Sequence, residues 1–232
     1  MTRLVLFDID GTLIRTGGAG VKAFARTAAE VFGRPGGTAG LSFAGRTDLS
    51  LVREFLEAHG LEVSRENQER FLAAYLGFLA AFLQQHAGER CPGVAELLAG
   101  LRGHPQPPAI GLLTGNVRPG AECKLRAHGL WGEFEFGAFG DEHQDRNQLA
   151  GLAWQRGRER LGEDLAGAEI VVVGDTPRDV ACARAIGARC LAVATGMHRM
   201  EELADCGPEW LCRDLWGFDV ARLWESGGGS RG

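Results

Sequence analysis

The chain contains no apolar run approaching the length of a membrane span, which excludes a transmembrane role for its segments. Its first residues lack the pattern of a secretory leader, because the short apolar run from Leu4 is interrupted by Asp8 and Asp10. A cytoplasmic location is therefore the expectation. No CxxC pair and no nearby histidine cluster accompanies the six cysteines (Cys91, Cys123, Cys182, Cys190, Cys206 and Cys212). Zinc and a disulfide framework drop out in favour of buried free thiols. Basic charge is also short: 25 Lys and Arg against 30 Asp and Glu give a net charge of −5. That balance argues against nucleic-acid and membrane-surface partners, since either would favour a basic face. Lysines are few, none follows Lys124, and no internal repeat is present.

What is present suits a soluble globular protein: 232 residues, 45% hydrophobic and 24% charged. Short apolar runs at Leu4–Phe7, Ala109–Leu113, Phe134–Phe139, Ile170–Gly174 and Cys190–Ala194 predict strands. Helical patterns of crossover length separate the later ones: Pro119–His128, Asn147–Leu161 and Pro177–Ile186. This alternation predicts βαβ units and an α/β doubly wound parallel sheet. Residues 14–86 break the rhythm. They read as three helices (Gly20–Phe32, Asp48–His59 and Glu66–His86) without a convincing strand. The expected organisation is an α/β core of residues 1–14 and 88–225, an inserted all-helical domain of 15–87, and a disordered tail at 226–232. The "GGAG" stretch at Gly17–Gly20 lacks the Lys of a phosphate-binding loop and fits a hinge between the core and the inserted domain.

Ligands of open α/β sheets bind beyond the carboxyl ends of the strands. The residues there are polar: Asp8, Asp10 and Gly11 after the first run, then Thr114, Gly115 and Asn116 after "AIGLL". "DRN", with Arg146 at a helix start, follows the third run, and "DTPRD", with Asp175 and Asp179, follows "IVVVG". Asp145 reads as the cap of one helix, and Asp175 stands where an N-cap would precede Pro177. Buried carboxylates facing one another are unstable alone. A hard divalent cation relieves them, and oxygen-only ligands favour Mg²⁺. With Thr114, Arg146 and the backbone near Gly11 available to phosphate oxygens, the chemistry expected is phosphoryl transfer.

"DIDGTL", "LLTGN" and "GDTPRDV" resemble, in order and spacing, the motifs of the haloacid dehalogenase superfamily, nearest its phosphoglycolate phosphatase-like branch with a helical cap. The likeness extends to "GRTD", "CPGVAELL" and "VATG" and spans nearly the whole chain. It implies a Mg²⁺-dependent phosphatase in which Asp8 is the nucleophile and Asp10 the general acid and base. It further implies a metal held by Asp8, the Asp10 carbonyl and Asp175, with Thr114 on the phosphoryl group and Asp179 in support. The family usually carries Lys at its third motif; Arg146 is the substitute here. Arg46 of "GRTD" either meets a substrate anion or pairs with a nearby acid. The partner implied is a small phosphorylated metabolite, handled by a monomer or a homodimer. A β-phosphoglucomutase-like phosphomutase is the alternative within the family. A non-catalytic phosphate-binding or receiver-like protein is a remote one, because receivers are shorter and need a late Lys.

Overall fold

Side chains along the first strand, β1 (Leu4–Phe7), alternate between two apolar layers, and this alternation decides how the sheet is covered. In a computed structural model describing residues 1–225, Leu4 and Leu6 join one buried cluster while Val5 and Phe7 join the other. The expected tail at 226–232 lies outside the described residues. β1 pairs in parallel with β4 (Ala109–Leu113) on one side and β6 (Ile170–Gly174) on the other. β5 (Phe136–Ala138) continues beyond β4, and β7 (Arg189–Val193) and β8 (Trp210–Cys212) continue beyond β6. All six strands are parallel, in the order β5-β4-β1-β6-β7-β8. The strand order therefore reverses at β1, which is where a doubly wound sheet opens its ligand crevice. The expected α/β doubly wound fold is present.

Helices cover both faces. The layer around Val5 and Phe7 receives α4 (Val94–Gly103), α5 (Arg118–Ala127) and a short 3₁₀ turn at Val220–Trp224. The layer around Leu4 and Leu6 receives α6 (Arg146–Leu161), α7 (Pro177–Ala185) and α8 (Met200–Ala204). Several strand ranges depart from expectation, β7 only by one residue at each end. The third run narrows to Phe136–Ala138, because a 3₁₀ turn takes Trp131–Glu133 and leaves Phe134 outside the ladder. β8 has only three residues, Trp210–Cys212, an apolar run too short to read as a strand, and none of them is fully buried. A two-residue β2 (Ile14–Arg15) pairs antiparallel with β3 (Glu89–Arg90), correcting the strand-free reading of residues 14–86.

Residues between β2 and β3 form α1 (Ala19–Glu30), α2 (Asp48–Ala58) and α3 (Arg65–Gln85), with a core of their own. Phe24, Phe55 and Phe71 pack with tilted and edge-on rings at its centre, the Phe24 and Phe71 ring centroids 4.4 Å apart. The start of α2 is fastened to the sheet's loops. The Asp48 N–H donates to the Gly115 carbonyl (2.8 Å), its carboxylate accepts the Val117 N–H (2.8 Å), and the Thr47 hydroxyl donates to the Gln144 carbonyl (2.9 Å). Gly115 is required at this seam, since a Cβ there would lie 2.0 Å from the Arg46 carbonyl oxygen. The helical unit thus roofs the carboxyl ends of β1, β4 and β6.

Candidate active site

The roof and the strand ends enclose a cavity of about 380 Å³ whose wall includes Asp8, Asp10, Gly11, Gly115, Asn116, Arg146 and Asp175. Asp8 follows the last residue of β1, and its N–H extends the ladder to the Val173 carbonyl (3.0 Å). Its carboxylate is buried and accepts from Arg146 Nη2 at 2.8 Å. Asp175 follows β6, buried, and accepts from the Thr12 hydroxyl at 3.0 Å. Gly11 takes a left-handed φ of +87°, and a Cβ there would come within 2.4 Å of an Asp175 oxygen. The "DIDGT" turn therefore closes against Asp175 only with glycine at that position.

Arg146 enters at the first position of α6, just after its cap Asp145, whose carboxylate accepts the Asn147 N–H (2.8 Å). Capping and site placement thus coexist in one turn. Every carboxylate contact of Arg146 passes through Nη2, to Asp8 and to Asp179 at 2.5 Å. Its Nε is buried without a protein partner. Asp179 is fully buried behind this pair. Its other oxygen accepts the Thr176 N–H (2.9 Å) and hydroxyl (2.7 Å), the reciprocal box that starts α7. The cap of α7 is therefore Thr176, not Asp175, which frees Asp175 to face the cavity.

Desolvation dominates the electrostatics. Burial pushes the Asp8 carboxyl up to about 7 against the pull of Arg146, with Asp179 and Asp10 adding repulsion. Asp175 is raised well above the usual carboxylate range, first by burial and then by Asp8 and Asp179. Arg146 is held firmly protonated: Asp179 and Asp8 overcome its own desolvation. Asp8, Asp175 and Asp179 offer oxygens within 4.8 Å of one another. Both Asp179 oxygens are already committed, so Asp8 and Asp175 are the pair left facing each other without sufficient positive charge. An all-oxygen donor set in this condition fits a hard divalent ion such as Mg²⁺.

Asp10 points differently. Its Oδ2 accepts from Lys124 Nζ (2.7 Å) and Asn116 Nδ2 (2.8 Å). Lys124 also donates to Asn116 Oδ1 (2.6 Å), and Asn116 Nδ2 reaches the Thr114 hydroxyl (2.8 Å). Thr114 is fully buried beside the cavity, so its hydroxyl connects to Asp10 through Asn116. Lys124 was missed in the sequence. Its signal was a cation on the buried stripe of α5, alongside Ala121 and Leu125. Asp48 and Tyr75 were missed as wall residues too. Asp48 is buried and pushed up to about 6 by desolvation, partly offset by Lys124. Arg46 reaches the cavity wall, but its guanidinium bonds Glu54 (2.7 Å) and the Ser50 hydroxyl (3.1 Å), the pairing with a nearby acid foreseen as its other role.

Comparison with known proteins matches residues 2–187 to the family described as haloacid dehalogenase-like hydrolase. The chain is 33% identical over 221 residues to a probable phosphatase, IndB, of Dickeya dadantii, covering 90% of this chain and 88% of that one. It is 33% identical over 121 residues to a phosphoglycolate phosphatase of Synechococcus elongatus, covering 52% and 53%. Among solved structures, it is similar to CbbY from Rhodobacter sphaeroides in complex with phosphate, with a TM-score of 0.74 at 21% identity, covering 97% of this chain and 100% of that one. No helix among the described residues is long and apolar enough to cross a membrane.

Proposed function

Because this chain belongs to the haloacid dehalogenase-like hydrolases, we propose that it is a Mg²⁺-dependent phosphatase that hydrolyses a small phosphomonoester through a phosphoryl group carried on Asp8. One observation carries the reading. Four strand-end segments far apart in sequence deliver Asp8 with Asp10, Asn116, Arg146 and Asp175 to one cavity under a helical roof. The name of the Dickeya relative, which the chain matches nearly end to end, favours water over a sugar hydroxyl as final acceptor. A bound Mg²⁺ would be held by Asp8, Asp175 and the Asp10 carbonyl, and would neutralise phosphoryl charge.

Each side chain then has a task set by its contacts. Asp8, ionised and steered by Arg146, attacks phosphorus while the bond to the substrate alcohol breaks. Asp10 gives its proton to the departing alcohol oxygen and later takes one from the water that releases phosphate. Lys124 and Asn116 hold the Asp10 carboxylate in place for both transfers. Arg146 keeps Asp8 aligned, and its unpartnered Nε is a donor for a phosphoryl oxygen. Thr114 fixes Asn116, Asp179 fixes Arg146, and Gly11 and Gly115 bring backbone close to the phosphoryl group. The α1–α3 unit excludes bulk water. Residues 15–87 act as the cap and Gly17–Gly20 as its hinge; the positive φ angles of Gly17 and Gly18 suit that pivot.

The test is phosphate release over a panel of phosphomonoesters, with Mg²⁺ and after full chelation. Turnover that needs Mg²⁺ is expected. Undiminished turnover without divalent ions, or isomerised sugar phosphate in place of free phosphate, would overturn the proposal.

A further inference from the structure

The cavity has a second half, away from Asp8 and Asp175, that must receive the alcohol portion of the substrate. Its wall is Phe24, Phe43, Leu51 and Tyr75, of which Phe24, Leu51 and Tyr75 are almost completely buried. Two solvent-exposed apolar side chains from different elements complete the lining. Val21 of α1 is 45% exposed, and Met197 in the loop after β7 is 86% exposed. Exposed apolar side chains on the wall of a cavity are contact surface for a ligand.

The charges on this cavity are also spoken for. Its four cationic residues each bond a carboxylate: Arg15 to Glu89, Arg46 to Glu54, Lys124 to Asp10, and Arg146 to Asp8 and Asp179. Around the leaving-group side, Asp10 and Asp48 set two negative charges against the single positive charge of Lys124. A second anionic group on the substrate would meet a surplus of like charge there, and every cation lining the cavity is already paired with a carboxylate. An uncharged group with an apolar face would meet a matching wall.

We propose that the substrate is a phosphomonoester whose alcohol portion is uncharged and apolar on at least one face, seated against Phe24, Phe43, Leu51 and Tyr75 and emerging between Val21 and Met197. This rests on the phosphatase reading and narrows it: phosphoglycolate, with its carboxylate, is a poor fit.

Two non-hydrolysable probes separate this inference from that reading. Calorimetric titration of the wild-type protein in Mg²⁺ compares benzylphosphonate with phosphonoacetate, and turnover compares benzyl phosphate with phosphoglycolate. Burial of one aromatic ring leads to an expected preference for the benzyl compound of about tenfold or more in both measurements. Equal or tighter binding of phosphonoacetate, faster turnover of phosphoglycolate, or no binding of either phosphonate would overturn the inference. Preferred binding of benzylphosphonate with neither ester hydrolysed would uphold the pocket and overturn the phosphatase reading. Val21→Lys, at an exposed position of α1, adds a cation to the exposed part of the lining and should narrow the binding preference by roughly threefold. An unchanged ratio would contradict the route between Val21 and Met197.

Discussion

The two halves of the cavity are built on opposite principles. The phosphoryl half is assembled from strand ends and the first residues of helices, and its charges are buried in mutual opposition: Asp8, Asp175 and Asp179 against Arg146. The leaving-group half is assembled from α1, α2, α3, α5 and the loops carrying Phe43 and Met197, and beside Asp48 and the network holding Asp10 it offers the apolar side chains of Phe24, Phe43, Leu51 and Tyr75. The first half stores electrostatic discomfort that a cation and a phosphoryl group relieve. The second is comfortable as it stands and offers surface. The proposed function assigns catalysis to the strained half, and the proposed substrate class assigns selectivity to the relaxed one. Substitutions in the first should act on kcat, and substitutions in the second on KM.

The largest test of this division is Asp8→Asn, which should lower kcat by about 10⁴-fold or more, read as phosphate release. A loss of tenfold or less would place the reacting carboxylate elsewhere. Arg146→Ala should cost about 10²- to 10³-fold by leaving Asp8 and Asp179 unneutralised. Arg146→Lys should stay within about tenfold of wild type, because all carboxylate contacts pass through the single atom Nη2, which an ammonium can replace. Lys124→Met crosses the boundary between the halves. It should lower kcat by about tenfold with KM within about twofold, since it loosens Asp10 without touching the phosphoryl group. A change confined to KM would move Lys124 to the substrate wall.

The smallest effect is on stability and has the opposite sign. Asp8→Asn removes a buried carboxylate and should raise the melting temperature of the Mg²⁺-free protein at pH 8 by about 2–4 °C. The Asp8 carboxyl is raised from 3.8 to about 7 in the fold, so the fold binds its proton more tightly than the unfolded chain does. Its ionisation therefore costs stability progressively as pH rises from about 4 to about 7, and fully above that. The gain from Asp8→Asn should accordingly shrink as pH falls through this window. A gain that persists at pH 4 would have another origin.

Legibility in the sequence followed the same boundary. β1, β4 and β6 have the residue ranges expected, because fully covered strands read as unbroken apolar runs. Asp8, Asp10, Asn116 and Asp175 were legible because each sits within a few residues of such a run, and Arg146 because it opens the helix after the third run; parallel strands bring those ends together whatever the intervening sequence. Lys124, Asp48 and Tyr75 had no such signal: each looks like an ordinary helix residue until α3 and α5 pack across the seam. The Arg46–Glu54 pair lies two helical turns apart and could be read either way. β8 escaped because its three apolar residues make too short a run to read as a strand. Motifs tied to strand ends survive reading in one dimension; pockets made by helix packing do not.

The most direct measurement is a rapid acid quench of the wild-type enzyme during turnover of a phosphomonoester with Mg²⁺, followed by peptide mass mapping. The account predicts one added phosphoryl group on the peptide carrying Asp8, appearing and decaying at rates compatible with kcat. Sustained phosphate release, with rapid-mixing times short enough to catch the intermediate and no phosphoryl group ever found on Asp8, would contradict it.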